Sequence, residues 1–304
     1  MEYKYRFESG LLTKSDSAEC QISLFIKPSD EEKKFLVQTL KLDEHTLASA
    51  LDPDELARLE FEPEHTAIIF KSPIPHSAID PFLFKVASVG LYLFKERLVI
   101  VTDESTFSFD GLKLQRIQSL NDLALRLIYR SIYNFIEHLK IISQISDELQ
   151  SKISHAMENR YLLNLFSLQK SLVYYLNFIN ANDLVIQRLR NYATKLGFNE
   201  NEQELIDDIR IENSQCYKQA DIYSNILASL MDARASIVSN NLNVVMKTLT
   251  IITLLFTVPM FVVSAFSMNV TIPFQHHEHA FWIILGFAGL GAFGVLVAWK
   301  RLKW

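Results

Sequence analysis

Charge is missing from two long stretches of this 304-residue chain: no Asp, Glu, Lys or Arg occurs in residues 248–277 or in residues 280–299. A helix needs roughly 20 apolar residues to cross a hydrocarbon core of about 30 Å, so each stretch can hold a span. Neither sits behind a basic start at the front of the sequence, so neither reads as a secretory signal. Two transmembrane helices are expected, over about 246–266 and 280–299.

Cysteine is nearly absent too. Cys20 and Cys216 stand alone with no CxxC, which leaves no disulfide framework and no thiolate metal site to propose. Glycine and proline are unevenly withheld. Six of the eight prolines fall between Pro28 and Pro81, and between Gly90 and Gly286 only Gly111 and Gly197 occur. The first third is therefore broken into short elements, and the middle is built for long helices. No GxxxxGK[ST] phosphate loop is present, and the Gly289-Leu290-Gly291 triplet lies inside a predicted span, so an enzyme is not expected.

Basic residues are in deficit outside the spans. Residues 246–304 hold Lys247, Lys300, Arg301 and Lys303 against Glu278, which leaves 26 basic and 34 acidic residues in 1–245, a net of −8. Readers of nucleic acid are usually basic, so nucleic acid is excluded as a partner. Cations and the lipid bilayer remain.

What is present supports an α/β domain over 1–111, a long-helix region over 112–245 and a transmembrane domain over 246–304. Residues 20–26 and 67–70 read as strands, and 91–94 with 98–102 as a hairpin. Ser29 with Glu32 forms a capping box that opens a helix near 31–40. Apolar residues recur at three and four from Leu123 to Ile145. A further helix is expected over 160–179, with an interruption at 180–183. Gly197 reads as a stop and Asn199 as a restart. From 201 to 265 only Pro259 interrupts a helical run, so one helix of roughly 100 Å would enter the membrane.

Lysine and arginine flank the spans and avoid the loop between them, which places both termini in the cytoplasm. Along the first span, Asn243, Thr250, Thr257 and Ser264 repeat every seven residues. Met246, Thr253, Met260 and Ser267 repeat beside them. Such a polar stripe belongs against protein or water rather than lipid, or else its hydroxyls bond back to carbonyls of their own helix. A sustained heptad implies helices around a shared axis, and two spans per chain require several subunits to enclose a pore. In the connecting loop, His276, His277 and His279 with Glu278 offer donors for a transition metal such as Zn²⁺.

Ser239-Asn240, Asn243, Val245-Met246-Lys247, Leu249-Thr250-Ile251-Ile252, Pro259 and Phe266-Ser267-Met268-Asn269 together resemble the pore helix and signature of CorA-type magnesium transporters. More faintly, 51–60 and the 91–102 hairpin resemble that family's cytoplasmic domain. The resemblance implies a funnel-shaped homopentamer in the inner membrane, with an N-terminal α/β domain and long helices continuing into two transmembrane helices. It implies a pore lined by Asn243, Met246, Leu249, Thr253, Thr257, Met260 and Ser264, with Leu249 in place of the Thr250 of the heptad reading. It implies a mouth at Ser267, Met268 and Asn269, where the family has Gly-Met-Asn. No bound cofactor is implied; Mg²⁺ is the transported and regulatory ion, with Co²⁺, Ni²⁺ or Zn²⁺ also carried. Asp208 and Asp232 match acidic positions through which Mg²⁺ regulates the family. Two other readings stay open: Zn²⁺ transport within the same superfamily, and a non-conducting membrane scaffold or sensor.

Overall fold

The computed structural model describes residues 2–8, 11–15, 20–76, 81–109, 117–155, 159–270, 273 and 277–301. The chain divides into two compact units, Met1–Ser229 and Leu230–Trp304.

The first unit is built on seven strands and two short helices: β1 (Glu2–Glu8), β2 (Leu11–Lys14), β3 (Ile22–Ile26), α1 (Asp30–Gln38), α2 (Glu44–Leu51), β4 (Arg58–Phe61), β5 (His65–Pro73), β6 (Val86–Phe94) and β7 (Leu98–Thr102). They form one mixed sheet in the order β2-β1-β3-β7-β6-β5-β4. Only β3 and β7 pair in parallel, with Leu24 opposite Ile100. The expected hairpin is β6–β7, antiparallel with Leu91 opposite Ile100. Every residue of β6 and β7 is buried, as central strands covered on both faces require.

On one face lie α1 and α2. Leu36, Leu40, Leu47 and Ala50 pack with Phe25, Ile69, Tyr92 and Val101 into one apolar core. Helix α1 starts at the capping box read from the sequence: the Glu32 amide donates to Ser29 Oγ at 3.2 Å, and the Ser29 amide donates to Glu32 Oε2 at 2.7 Å.

Lys71 is a fully buried cation on this same side of β5. Its Nζ donates to the carbonyls of Asp52 at 3.2 Å and Pro53 at 3.0 Å, and to the Ser88 hydroxyl. Those carbonyls close the C-terminal end of α2, where the helix dipole favours a cation. The Phe178 ring lies 5.3 Å from the same nitrogen. Burial still pulls the lysine down to about 8, against the opposing pull of Asp52, Glu55 and Asp54.

Long helices α3 (Leu120–His155) and α4 (Asn159–Asn191) cover the opposite face, and the first part of α5 (Glu200–Phe266) lies against α4. The interruption expected at 180–183 does not occur, because Asn182 has a partner that holds it inside the helix. Its Oδ1 accepts from the Lys71 amide and its Nδ2 donates to the Lys71 carbonyl, both at 2.8 Å. After α4 the chain turns at Gly197, whose φ of +72° favours glycine. Asn199 restarts it as an N-cap: its Oδ1 accepts from the Glu202 amide, and Glu202 Oε2 accepts from the Asn199 amide, both at 2.9 Å. In α5, Ile206, Ile209, Cys216, Ala220 and Leu227 are buried at helical spacing. Asn213 donates to the Ile179 carbonyl at 3.2 Å, and Arg190 pairs with Asp207 at 2.9 Å, tying α5 to α4. Burial raises the Cys216 thiol to about 12, so it is an inert packing group.

The second unit is a helical hairpin: the rest of α5 and α6 (Ala280–Arg301). Both helices are long and apolar enough to cross a membrane.

Candidate functional site

From Thr248 onward, α5 owes its helix to a run without glycine and to uncharged residues that gain by satisfying every backbone group internally. Its hydroxyls join in. Thr250 donates to the Met246 carbonyl and Thr253 to the Leu249 carbonyl, both at 2.8 Å. Pro259 sits inside the helix without ending it.

The stripe predicted from the sequence lies along this segment. Asn243, Met246, Leu249, Thr253, Thr257, Met260 and Ser264 are all exposed in the single chain, Met246 and Met260 at 65%. Leu249 and Thr250, the two alternatives for one position, are side by side and equally open. The stripe shares this exposure with much of the hairpin, Phe256 at 75% and Phe261 at 73% among them.

Helix α5 ends at Phe266, and Ser267, Met268 and Asn269 follow at once, all exposed. The Ser267 amide and hydroxyl both donate to the Ser264 carbonyl, at 3.2 and 3.1 Å, so serine closes the last turn. Among the described residues, positive φ occurs only at Lys27, Lys41 and Gly197, so Ser267 has ordinary backbone angles. The position does not demand glycine.

The return helix packs antiparallel on α5. Val258 Cγ1 lies 2.9 Å from where a Cβ on Gly291 would stand, and the rings of Phe266 and Phe287 stack at 6.4 Å. A side chain on Gly286, Gly289 or Gly294 would meet nothing within 4 Å. Nothing in the spacing of the four glycines singles out Gly291.

Ahead of α6, the His277 carbonyl accepts from the Ala280 amide at 3.0 Å. His277 Nδ1 accepts from the His279 amide at 3.3 Å, and the two rings are 6.1 Å apart. His276 lies outside the described residues. No group of three or more His, Cys, Asp or Glu suited to a metal ion occurs among the described residues. Asp208 is exposed on α5 in the first unit and Asp232 is exposed on α5 in the second. Asp207, beside Asp208, is the member that pairs with Arg190.

Residues 24–301 match the family described as CorA-like Mg²⁺ transporter protein. The chain belongs to the CorA-like Mg²⁺ transporter family. The cobalt/magnesium transport protein CorA of Methanocaldococcus jannaschii is 24% identical over 268 residues, covering 85% of this chain and 83% of that protein. The complete structure of the CorA magnesium transporter from the same organism superimposes with a TM-score of 0.84 at 20% identity, over 99% of this chain and 98% of that one. The full-length CmaX protein superimposes with a TM-score of 0.70 at 16% identity, over 100% and 97% of the two chains. The resemblance to the CorA family, and the N-terminal α/β domain, long helices and two apolar C-terminal helices it implied, are borne out. This CorA-like chain is a membrane protein with a mixed-sheet domain, long helices and two apolar C-terminal helices.

Proposed function

We propose that the protein is a Mg²⁺ channel driven by the membrane potential, able also to pass Co²⁺ or Ni²⁺. Divalent-cation transport follows from membership of the family; the ion, the direction and the residues are our reading. The observation that carries it is the exposed, uncharged stripe of α5 ending directly at Ser267-Met268-Asn269. A single hairpin cannot enclose a pore, so five copies would place α5 in an inner ring and α6 outside it. Both termini would face the cytoplasm of the inner membrane, as the positive flanks favour.

In that assembly Asn243, Met246, Leu249, Thr253, Thr257, Met260 and Ser264 line the path, with Met246 and Leu249 as its apolar constriction. Asn269 offers a ring of amide oxygens at the outer mouth. Mg²⁺ binds oxygen and gives up water reluctantly, so uncharged acceptors that hold its hydration shell suit it. Asp208 and Asp232 would bind intracellular Mg²⁺ between copies and favour the closed state.

Flux into liposomes holding the purified protein tests this, comparing Mg²⁺, Co²⁺ and Zn²⁺. Mg²⁺ entry that Asn269→Ala abolishes is the expected result. Undiminished flux in that variant sinks the assigned mouth, Zn²⁺ entry alone transfers the chain to zinc transport, and no flux of any ion leaves a scaffold. Asp208→Asn and Asp232→Asn are expected to keep flux high when internal Mg²⁺ is raised.

A further inference from the structure

Between its two helices the hairpin carries a groove that borders the proposed conduction stripe at Asn243 and Met246. Where residues 243–254 of α5 run against the last turns of α6, the helices part around a cavity of about 320 Å³. Lys247, Ile251, Leu254, Val295, Ala298 and Trp299 line it. Farther along, Val258 meets Gly291 and the helices close, whereas the small Ala298 leaves the gap open.

The groove has two chemistries. Its length is apolar, and Thr250, also in the lining, has its hydroxyl donor committed to the Met246 carbonyl at 2.8 Å. Its end is cationic: Lys247 is in the wall, and Lys300 and Arg301 follow Trp299 directly. No Asp or Glu occurs between Asp232 and Glu278, or after Glu278. Asp232 is about 22 Å along the helix from Lys247 at 1.5 Å per residue. A second copy of this hairpin would bring further Lys247, Lys300 and Arg301 side chains to the same depth and no anion. The hairpin therefore offers no counter-charge at that depth, and the anionic lipid surface of a bilayer can supply one.

We propose that this groove binds an anionic phospholipid of the surrounding bilayer. An acyl chain lies along Ile251, Leu254, Val295 and Ala298, and the phosphate sits at Lys247 with Lys300 and Arg301 beside it. Basic pockets between transmembrane helices on the cytoplasmic side select such headgroups, and a tryptophan at that level suits the interface. Lys247, Ile251 and Leu254, at i, i+4 and i+7, share one face of α5. Leu249, Thr253 and Met260 occupy another, so the lipid lies beside the conduction stripe, with Asn243 and Met246 on the shared edge. The proposal rests on the two helices crossing a bilayer and not on which ion passes, so a failed flux assay leaves it standing.

The test uses the full-length protein in lipid nanodiscs, with Trp282→Phe and Trp304→Phe leaving Trp299 as the sole tryptophan. Brominated phosphatidylglycerol and brominated phosphatidylcholine are titrated separately as fluorescence quenchers. Saturable quenching at lower mole fraction of phosphatidylglycerol is expected, with Lys247→Gln reducing that preference roughly fivefold. Ala298→Phe, which fills the groove, is expected to remove the saturable phase. Equal quenching by both lipids, insensitive to Lys247→Gln, overturns the proposal in favour of ordinary boundary lipid. Absence of quenching by either overturns it in favour of a second copy covering the groove. The comparison of the two lipids decides the matter even if Ala298→Phe does not fold.

Discussion

At Gly90, strand β6 passes so close to α2 that an added Cβ would stand 2.5 Å from the Ala50 Cβ and 3.1 Å from the Tyr92 ring. Neither neighbour can yield cheaply, since Ala50 is fully buried and the Tyr92 hydroxyl donates to the Thr46 carbonyl at 2.9 Å. Gly90→Ala is therefore expected to cost about 1–3 kcal/mol, the range for overpacking a core, read as a lowered unfolding midpoint. His138 supplies a second test. Burial, and then the nearby His76, hold its imidazole down to about 4, while its Nδ1 meets the Tyr175 hydroxyl at 2.7 Å. The unfolded chain takes up this proton near pH 6.5, the folded chain only near 4. Protons thus favour the unfolded state as pH falls through that window, and the group's contribution drops by up to about 3 kcal/mol. His138→Gln, which keeps a partner for Tyr175 but does not titrate, is expected to flatten the midpoint between pH 6.5 and 4.

The Asn182 side chain hydrogen-bonds helix α4 to strand β5 at both the amide and the carbonyl of Lys71. Asn182→Ala would leave the Lys71 amide buried without its acceptor, while the Lys71 carbonyl would keep Ser131 as a donor at 2.6 Å. A loss of about 1–3 kcal/mol is expected, the cost of one unsatisfied buried group, measurable by denaturant unfolding. The same residue shows where reading the sequence stops. Asn180, Asn182 and Asp183 look like a turn because such side chains compete for local backbone. The partner that keeps Asn182 helical lies 111 positions away, and no local pattern announces it. Local signals fared better: the Ser29–Glu32 box, the β6–β7 hairpin and the Asn199 restart each depend on neighbours within a few residues. Strands β1 and β2 escaped notice because Glu2, Lys4 and Arg6 alternate with Tyr3 and Tyr5 in β1, next to the edge strand β2, where charge is tolerated and hydropathy says little. Helix α2 escaped because eight residues hold too few turns to show a period. In the candidate site the stripe was legible as a heptad, and the ordinary backbone of Ser267 was not, since φ is a property of the turn and not of the residue name.

For the whole molecule, membership of the CorA-like family covers residues 24–301, so sheet domain, long helices and hairpin are parts of one architecture. The uneven charge has a clear logic. Acidic residues gather in the first 245 positions, and residues 246–304 keep Glu278 alone with their basic flanks. Native mass spectrometry of the detergent-purified protein is expected to show five chains, and a stable dimer or tetramer would refute the proposed ring. Because Ser267 needs no glycine-like angle, Ser267→Gly is expected to leave Mg²⁺ flux unchanged in liposomes. A large gain would mean that the serine hydroxyl obstructs the mouth.

Thr253 donates its hydroxyl proton to the Leu249 carbonyl, and Ser267 donates its own to Ser264. A hydroxyl anchored in this way cannot swing its hydrogen outward, so what it shows to the surroundings is a lone pair. In the proposed ring of five copies, such groups would turn the negative ends of their dipoles toward the axis. The filter against chloride would then need no carboxylate: it would follow from which way each alcohol is locked.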